Sequence, residues 1–135
     1  PFRRQAGNIE AMFQQYKDRA AFLLIYIREA HPTDGWQVKA NVRDKVVYAA
    51  PKAMDDRALI ASDCLKGLKL TLPCLLDDMQ GSANRDYAAW PARFCIVRTD
   101  GTVHYYSGRG PRGFKPKEAE NALIKLLEEG APTAP

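Results

Sequence analysis

The sequence predicts an α/β fold, in which helices cover both faces of a mixed central sheet. Three observations indicate this fold. Amphipathic helical patterns alternate with short apolar runs along the chain. The run at residues 22–27 is apolar throughout, which is typical of a central strand covered on both faces, as parallel sheets require. Asp100 and Gly101 separate two β-prone runs, and this pair is a strong signal for an antiparallel hairpin.

The first half of the chain supplies the parallel part of the predicted sheet. Apolar residues recur at helical spacing over residues 4–18, which predicts a first helix. The strand at residues 22–27 ends in a loop with Pro and Gly, at the sheet edge where open α/β folds bind ligands. A short strand at residues 46–48, a helix over residues 54–69 and a third strand at residues 72–76 follow.

The second half of the chain supplies the antiparallel part. Residues 82–89 are predicted as a short helical turn, and residues 93–97 and 103–106 as the two strands of the hairpin. A closing helix is predicted over residues 116–129, because its first residue is a proline and Gly130 supplies the stop.

This element order, a helix, a βαβ unit and a ββα unit, is the thioredoxin-like three-layer α/β/α arrangement with a carboxyl-terminal hairpin and helix. That fold commonly holds a cis X-Pro bond just before the first hairpin strand, where this chain has Trp90-Pro91. An ordinary proline at the start of a strand is the alternative, since cis bonds are rare in general. We expect one domain over residues 1–130 and a frayed tail over residues 131–135.

The composition excludes several classes of protein. The 135 residues are 46% hydrophobic and 27% charged, which is globular rather than disordered, collagen-like or a disulfide scaffold. A net charge of +4 is too small to indicate nucleic-acid binding without clustering. The longest apolar run, residues 20–27, falls well short of the ~20 residues that a membrane-spanning helix needs. We therefore expect no membrane contact from this segment.

The three cysteines, Cys64, Cys74 and Cys95, form no CxxC pair and match no common zinc spacing. Their odd number leaves at least one thiol unpaired, so buried thiols in a reducing compartment such as the cytoplasm are expected. Adjacent Asp77 and Asp78 have no third ligand nearby in the sequence, so no metal is expected. The first residue is Pro rather than Met, which leaves open an anchor or leader upstream.

The run FLLIYIREAHPTDGW at residues 22–36 resembles the signature strand and loop of the iodothyronine deiodinase family. Further segments match that family in order: Asp56-Arg57, Leu76-Asp77-Asp78-Met79, Tyr87, Arg93 and Gly108-Arg109-Gly110-Pro111. The resemblance covers nearly the whole chain. It implies a thioredoxin-like oxidoreductase that reductively removes iodide from an iodinated phenolic substrate such as an iodothyronine.

The resemblance also implies where the nucleophile lies. In this family a selenocysteine, or a cysteine in many bacterial relatives, precedes Pro-Pro-Phe, and Pro1-Phe2 looks like the end of that motif. The attacking atom would then lie two positions before residue 1, and none of the three visible cysteines would be the nucleophile. A nucleophile just ahead of the first helix lies at the positive end of the helix dipole, which lowers its pKa. The resemblance implies recycling by an external thiol, with no metal or organic cofactor.

By the same resemblance, His31 and Arg109 correspond to family residues proposed to hold the phenol and the carboxylate of the substrate. A guanidinium suits a carboxylate because it donates two parallel hydrogen bonds. Tyr26 and Glu29 fall where the family has a proton relay to the histidine. The residues alone leave other roles open: a loop His31 packed on Trp36, a core Tyr26, a solvated Glu29 and a surface Arg109.

Two other functions stay open at this stage. A thiol-dependent reductase of peroxides or disulfides needs only the same fold and a low-pKa nucleophile. A non-catalytic binding module is indicated by the basic residues of the segment from Arg109 to Lys117, although no aromatic pattern for nucleic acid accompanies them. The expected partners are a small phenolic substrate and a thiol reductant, and the family resemblance favours a homodimer.

Overall fold

A computed structural model describes residues 2–130 of the chain. These residues form five helices and four strands: α1 (Phe2–Tyr16), β1 (Leu24–Tyr26), α2 (Lys39–Arg43), α3 (Met54–Leu68), β2 (Cys74–Leu76), α4 (Ser82–Asp86), β3 (Cys95–Val97), β4 (Val103–Tyr106) and α5 (Pro116–Glu129). The predicted mixture of helix and strand is confirmed. Within residues 2–130, no helix is both long enough and apolar enough to cross a membrane. The predicted frayed tail at residues 131–135 lies outside the described residues.

The chain divides into two compact units. Unit 1 combines the residues up to Phe22 with those from Pro91 onward, and unit 2 is the continuous segment Leu23–Trp90. A unit that is compact by its own contacts is not by itself a separately folding domain. The single domain over residues 1–130 therefore stays a prediction.

Unit 2 contains a βαβ unit. Strands β1 and β2 pair in parallel, with Leu24 opposite Cys74 and Tyr26 opposite Leu76. The pairing continues past β2, because Asp77 N donates to Tyr26 O at 2.9 Å. Helix α3 connects the two strands and packs on β2. The first half of the chain therefore contains parallel strands, as predicted.

The prediction that the first strand is covered on both faces is wrong for this structure. Leu23 is 61% exposed and Ile25 is 37% exposed, whereas Leu24 and Tyr26 are half-buried. Leu75, the cross-strand partner of Ile25, is 50% exposed. Side chains alternate between the two faces of a strand, so one face carries all three exposed residues while the other face is partly covered.

The predicted strand at residues 46–48 is also wrong. The backbone groups of this segment bond within the loop, because Val46 N donates to Asn41 O at 2.9 Å and Tyr48 O accepts from Thr33 N at 2.8 Å. The short helix α2, just before this segment, was not predicted. A run of β-prone residues forms a strand only when a neighbouring strand offers partners, and here the preceding loop supplies them instead.

Unit 1 contains the hairpin and two helices. Strands β3 and β4 pair antiparallel, with Cys95 opposite Tyr106. The turn between them closes through Arg98 N, which donates to Thr102 O at 2.8 Å. Gly101 adopts a φ of 86°, which a glycine accommodates without strain. The predicted hairpin is therefore confirmed.

Helices α1 and α5 share a small apolar core within unit 1. Met12 and Tyr16 of α1 are buried together with Leu123 of α5, and Phe22 and Ile96 pack against this cluster. Both helices therefore present one apolar face, as their sequence periodicity predicts.

The four strands form two sheets of two strands each among the described residues. The parallel pair and the antiparallel pair of a mixed sheet are thus both present, and the single central sheet stays a prediction. Among residues 2–130 the cis peptide bond recorded is Gly110–Pro111, so the Trp90–Pro91 bond is trans.

Candidate functional site

The loop that follows β1 carries two of the predicted site residues, Glu29 and His31. Several hydrogen bonds give this loop a fixed shape. Asp34 Oδ1 accepts from Ala50 N at 3.0 Å, which ties the two ends of the segment together and lowers the pKa of the Asp34 carboxyl. Gln37 Nε2 donates to His31 O at 3.2 Å and to Pro32 O. The loop is therefore closed by its own polar groups.

His31 lies against Trp36. The two rings meet edge to face with their centroids 4.6 Å apart, and Trp36 is 75% exposed. Nδ1 of His31 lies 3.2 Å from the Trp36 carbonyl oxygen. A carbonyl only accepts, so Nδ1 is the donor in this contact. Packing on Trp36 and this contact of Nδ1 thus fix the orientation of the imidazole.

Glu29 is half-buried, and burial raises the pKa of its carboxyl. Its charge acts on Tyr48, whose pKa is raised by burial first and then by Asp63 and Glu29. The Tyr48 hydroxyl donates to Asp63 Oδ2 at 3.2 Å. Sequence reasoning did not select Tyr48 or Asp63, because the segment of Tyr48 was predicted as a strand. Glu29 is thus partly shielded from solvent, and its role stays a prediction.

Tyr26 is half-buried on β1, where its cross-strand partner is Leu76. Its backbone belongs to the parallel ladder, because Tyr26 O accepts from Asp77 N at 2.9 Å. The strand therefore fixes the start of the Glu29 and His31 loop through the main chain. Tyr26, Glu29 and His31 all belong to unit 2, where Tyr26 ends β1 and the other two lie in the loop that follows.

Arg109 belongs to unit 1, where it is exposed on the loop between β4 and α5. Its carbonyl accepts from Gly113 N at 3.0 Å, and Gly110 N donates to Ala92 O at 2.9 Å. A Cβ atom on Gly113 would overlap the backbone of Gly108, so the loop closes tightly where the two glycines meet. The guanidinium is thus presented by a constrained loop.

A row of three aromatic rings connects this loop to the start of α1. Phe114 is buried at the end of the loop and stacks on Phe94, with ring centroids 4.4 Å apart and planes 7° from parallel. Phe2, in the first turn of α1, lies with its ring centroid 6.0 Å from that of Phe114. Within unit 1, the loop of Arg109 is therefore close to the amino end of the first helix.

Arg57 is a buried charge that sequence reasoning did not choose as a site residue. It is only 5% exposed, and its Nη1 donates to the backbone oxygens of Asp77 at 2.7 Å and of Asp78 at 2.5 Å. The available signal is its position on the apolar face of α3, three and four residues before the buried Ile60 and Ala61.

Asp77 is also buried, and its carboxylate is used within the fold. It accepts from Ala83 N at 2.8 Å and from Asn84 N at 2.9 Å, at the start of α4. The neighbouring Asp78 accepts from Ser82 N at 3.1 Å. The pair therefore caps a helix rather than converging on a shared point.

Within residues 2–130 the three cysteines form no disulfide bond, and all three are partly buried. Burial raises the pKa of the thiols of Cys74 and Cys95. A raised pKa reduces the fraction of thiolate, which is the nucleophilic form. These two thiols therefore lack the activation that an attacking group needs.

The basic segment after the hairpin is partly neutralised by its own helix. Lys115 Nζ lies 2.6 Å from Glu118 Oε1, and Lys117 Nζ lies 2.8 Å from Glu120 Oε2. Two of the four cations that suggested a binding module thus pair with glutamates three residues further on. The segment offers a weaker positive surface than its sequence indicates.

In chemical terms the chain is an α/β protein that carries acid–base groups after a parallel strand and an exposed guanidinium on a hairpin unit. Comparison with known proteins gives the family. The family model described as iodothyronine deiodinase matches residues 1–127. The chain belongs to the iodothyronine deiodinase family.

Relatives of known name are similar over most of the chain. A thyroxine 5-deiodinase of Sparus aurata is 37% identical over 125 residues, which is 91% of this chain and 44% of that protein. A type I iodothyronine deiodinase of Xenopus laevis is 34% identical over 93% of this chain and 47% of its own length. A type II enzyme of Rattus norvegicus is 32% identical over the same two shares. The chain thus spans about half the length of the curated relatives it matches.

Proposed function

We propose that this chain is the thioredoxin-like part of an oxidoreductase that reductively removes iodide from an iodinated phenol of the iodothyronine type. The observation that carries the proposal is the contact of Phe2 with Phe114, which puts the loop of Arg109 beside the amino end of α1. Family membership supports the same reaction, since the relatives are named deiodinases.

The attacking selenium or sulfur atom belongs, in this proposal, to a residue two positions before residue 1. A position just ahead of α1 favours a selenolate or thiolate, because the amino end of a helix carries a partial positive charge. The raised pKa values of Cys74 and Cys95 support the same assignment, since they disfavour thiolate at those positions.

The proposed reaction proceeds in two balanced steps. The chalcogenolate attacks iodine, a chalcogen–iodine bond forms, and the carbon–iodine bond breaks with its electron pair left on carbon. That carbon takes a proton, so the product is the deiodinated phenol. Two molecules of an external thiol then reduce the chalcogen–iodine bond, giving one disulfide, one proton, iodide and the free selenol or thiol. The reaction needs no metal or organic cofactor.

His31 is proposed to contact the phenol and to take part in delivering the proton. Its Nδ1 is engaged with the Trp36 carbonyl, which leaves Nε2 for the substrate. Glu29 and Tyr26 are proposed to relay protons to this imidazole. The raised pKa of Glu29 supports that role, because the carboxyl then holds a proton that it can pass on over a wider range of pH.

Arg109 is proposed to bind the carboxylate at the other end of the substrate. A guanidinium makes two parallel hydrogen bonds to a carboxylate, and the constrained loop lowers the entropic cost of holding it in place. The exposure of Arg109 on that loop supports access by a solute.

The thioredoxin-like arrangement belongs to the same proposal. The parallel pair with its crossover helix and the hairpin with its closing helix are its two halves. An experimental structure with all four strands in one mixed sheet is the expected result, and two permanently separate sheets would contradict it.

The experiment uses the natural chain extended upstream through the proposed nucleophile. Iodide release from an iodothyronine is measured with a dithiol as reductant, beside a variant in which the nucleophile is replaced by Ser. We expect release from the first protein and none from the second. A control replaces Cys74 by Ser and should keep the activity.

Other outcomes assign other functions. Consumption of peroxide without release of iodide would identify a thiol-dependent peroxide reductase and overturn the proposal. Binding of the substrate with no turnover, in a chain that carries the nucleophile, would identify a binding module. Loss of activity in the Cys74→Ser protein, with the fold intact, would place the nucleophile within the described chain.

A further inference from the structure

A long connection leads from β1 to α3, and the loop of Glu29 and His31 lies at its start. Among the described residues, the regular structure within this connection is α2, which has five residues. Trp36 is 75% exposed, so the burial of its ring contributes little to holding the loop in place. The position of the loop therefore depends in part on polar contacts.

The residues from Tyr48 to Ala50 are hydrogen-bonded to this loop at two points. Tyr48 O accepts from Thr33 N at 2.8 Å, and Thr33 comes two residues after His31. Ala50 N donates to Asp34 Oδ1 at 3.0 Å. Because these two bonds join the segments, a displacement of Tyr48 also displaces the loop that carries the imidazole.

The side chain of Tyr48 connects the same segment to α3. Its hydroxyl donates to Oδ2 of Asp63, in the second half of that helix, at 3.2 Å, and both side chains are half-buried. A hydrogen bond to a carboxylate is stronger than one between neutral groups. Burial and the charge of Asp63 raise the pKa of the phenol, so the hydroxyl keeps its proton and remains a donor throughout the neutral range.

Helix α3 is itself anchored to the parallel strands. It packs on β2, and Nη1 of Arg57, near its start, donates at 2.7 Å to the backbone oxygen of Asp77, directly after that strand. Strand β2 in turn pairs with β1, where the loop begins. The contacts therefore form a closed circuit from β1 through the loop, Tyr48, α3 and β2 back to β1.

We propose that Tyr48 is a positioning residue, which holds the loop of Glu29 and His31 in place relative to α3 through its hydrogen bond to Asp63. Glu29 lies close enough for its charge to contribute to the raised pKa of the Tyr48 phenol. Without the hydroxyl, the loop is joined to a segment that can move away from α3. Reaction requires close alignment of the reacting groups, so a looser loop slows turnover. The effect on turnover rests on the proposed function.

The first test measures the exchange of backbone amide protons for deuterium in the extended chain and in its Tyr48→Phe variant, which keeps the ring and loses the hydroxyl. The N–H groups of Thr33 and Ala50 report on the loop. We expect both to exchange about tenfold faster in the variant, because one hydrogen bond to a charged group is lost. Asp77 N–H, which donates to Tyr26 O beside the parallel strands, should exchange at an unchanged rate.

Changes at Asp63 show whether Tyr48 acts through that carboxylate. Asp63→Ala removes the acceptor, so it should reproduce the effect of Tyr48→Phe, and the double variant should be no worse than either single variant. Asp63→Asn keeps an oxygen acceptor and should keep most of the protection from exchange. Asp55→Asn is the matched control, because it removes an exposed carboxylate in the first turn of the same helix and should leave exchange at Thr33 unchanged.

Turnover is measured in the same proteins as release of iodide from an iodothyronine. We expect kcat to fall severalfold in Tyr48→Phe and in Asp63→Ala, because the imidazole of His31 is held less often in its productive place. Asp63→Asn and Asp55→Asn should keep a kcat near that of the wild type. Rescue by the amide distinguishes a positioning bond from a general need for the native side chains.

Three results would overturn the proposal. The first is unchanged exchange at Thr33 and Ala50 in Tyr48→Phe. The second is an equal increase at Asp77, which would show a general loss of stability. The third is an unchanged kcat in a variant whose loop exchanges faster. If no protein releases iodide, the wild type included, the proposed function fails, while the exchange rates still decide whether Tyr48 holds the loop.

Discussion

Phe114 stacks on Phe94 at a centroid distance of 4.4 Å, and through this contact the loop of Arg109 is joined to the apolar interior of unit 1. Phe114→Ala should lower the free energy of unfolding by roughly 3 kcal/mol, because it removes a buried ring and leaves a cavity. Urea unfolding measures the loss. Leu59→Ala is the control, since Leu59 is 64% exposed and its truncation should change stability by less than about 0.5 kcal/mol. Equal effects of the two changes would contradict the assigned packing.

The close approach of Gly108 and Gly113 gives a second prediction. Gly113→Ala places a methyl group against the Gly108 backbone, so the loop must open. We expect a loss of roughly 1–3 kcal/mol in unfolding free energy and a higher KM in the extended chain. Gly7→Ala is the matched control, because nothing lies within 4 Å of a Cβ at that exposed helix position. It should stabilise the protein by about 0.5–1 kcal/mol, and the same gain at Gly113 would refute the tight closure.

Arg109 and Arg112 provide a matched pair of cations on one loop. Arg109→Lys should raise KM for an iodothyronine by about tenfold, because an ammonium loses the bidentate geometry toward a carboxylate. The corresponding change at Arg112 should have little effect. A substrate analogue that lacks the carboxylate should not distinguish the wild type from Arg109→Lys. If it does, Arg109 acts on something other than the carboxylate.

The contact between His31 and Trp36 predicts that loss of the indole lowers turnover but hardly changes stability. Trp36→Ala should change the unfolding free energy by less than about 0.5 kcal/mol, because the indole is mostly exposed. It should lower kcat of the extended chain, since the imidazole loses the ring that orients it, while Trp36→Phe keeps an aromatic edge and most of the activity. His31→Ala should lower kcat by roughly 10²- to 10⁴-fold. An unchanged kcat in His31→Ala would exclude the imidazole from proton delivery.

Glu29 predicts a pH dependence of stability with a definite sign. Burial raises the pKa of this carboxyl in the native state, so the native protein holds a proton that the unfolded chain has already lost. Stability therefore falls as the pH rises from about 4.3, the ordinary pKa of a glutamate, through the native pKa. Glu29→Gln should remove this fall. The difference in unfolding free energy between this variant and the wild type should therefore favour the variant more at pH 8 than at pH 4.

Asp100 predicts a pH dependence of stability with the opposite sign, which the same measurement can test. Its bonds with Thr102 lower the pKa of the carboxyl, so its contribution is present above the pKa of the unfolded chain and is lost as the pH falls through the native pKa. Asp100→Asn should therefore be less stable than the wild type at neutral pH but not at very low pH. Urea unfolding across the pH range compares both variants, and matching signs would show that burial of Glu29 is not the cause.

The features that the sequence predicted well are those with local causes. The bounds of α5 and β4 agree with the prediction, because Pro116, Gly130 and the Asp-Gly turn act on their immediate neighbours. Residues 46–48 have the composition of a strand, but no neighbouring strand pairs with them. Their composition could not predict this, because strand pairing depends on distant parts of the chain. The exposed face of β1 was missed for the same reason.

The same contrast between local and distant causes holds for the residues of the candidate site. The loop of Glu29 and His31 was found because its signature is continuous in sequence. The buried role of Arg57 was not, since a charged residue on an apolar helix face becomes informative only when its backbone acceptors are known. Tyr48 was missed because its proximity to Asp63 and to Glu29 depends on how the intervening loop folds.

The discontinuous make-up of unit 1 has a consequence for biosynthesis. Met12 and Tyr16 leave the ribosome long before Leu123, the partner that buries them. Unit 2 is a continuous segment and is complete while α5 is still unmade. The apolar face of α1 therefore stays exposed to water or to a chaperone until the last part of the chain emerges from the ribosome.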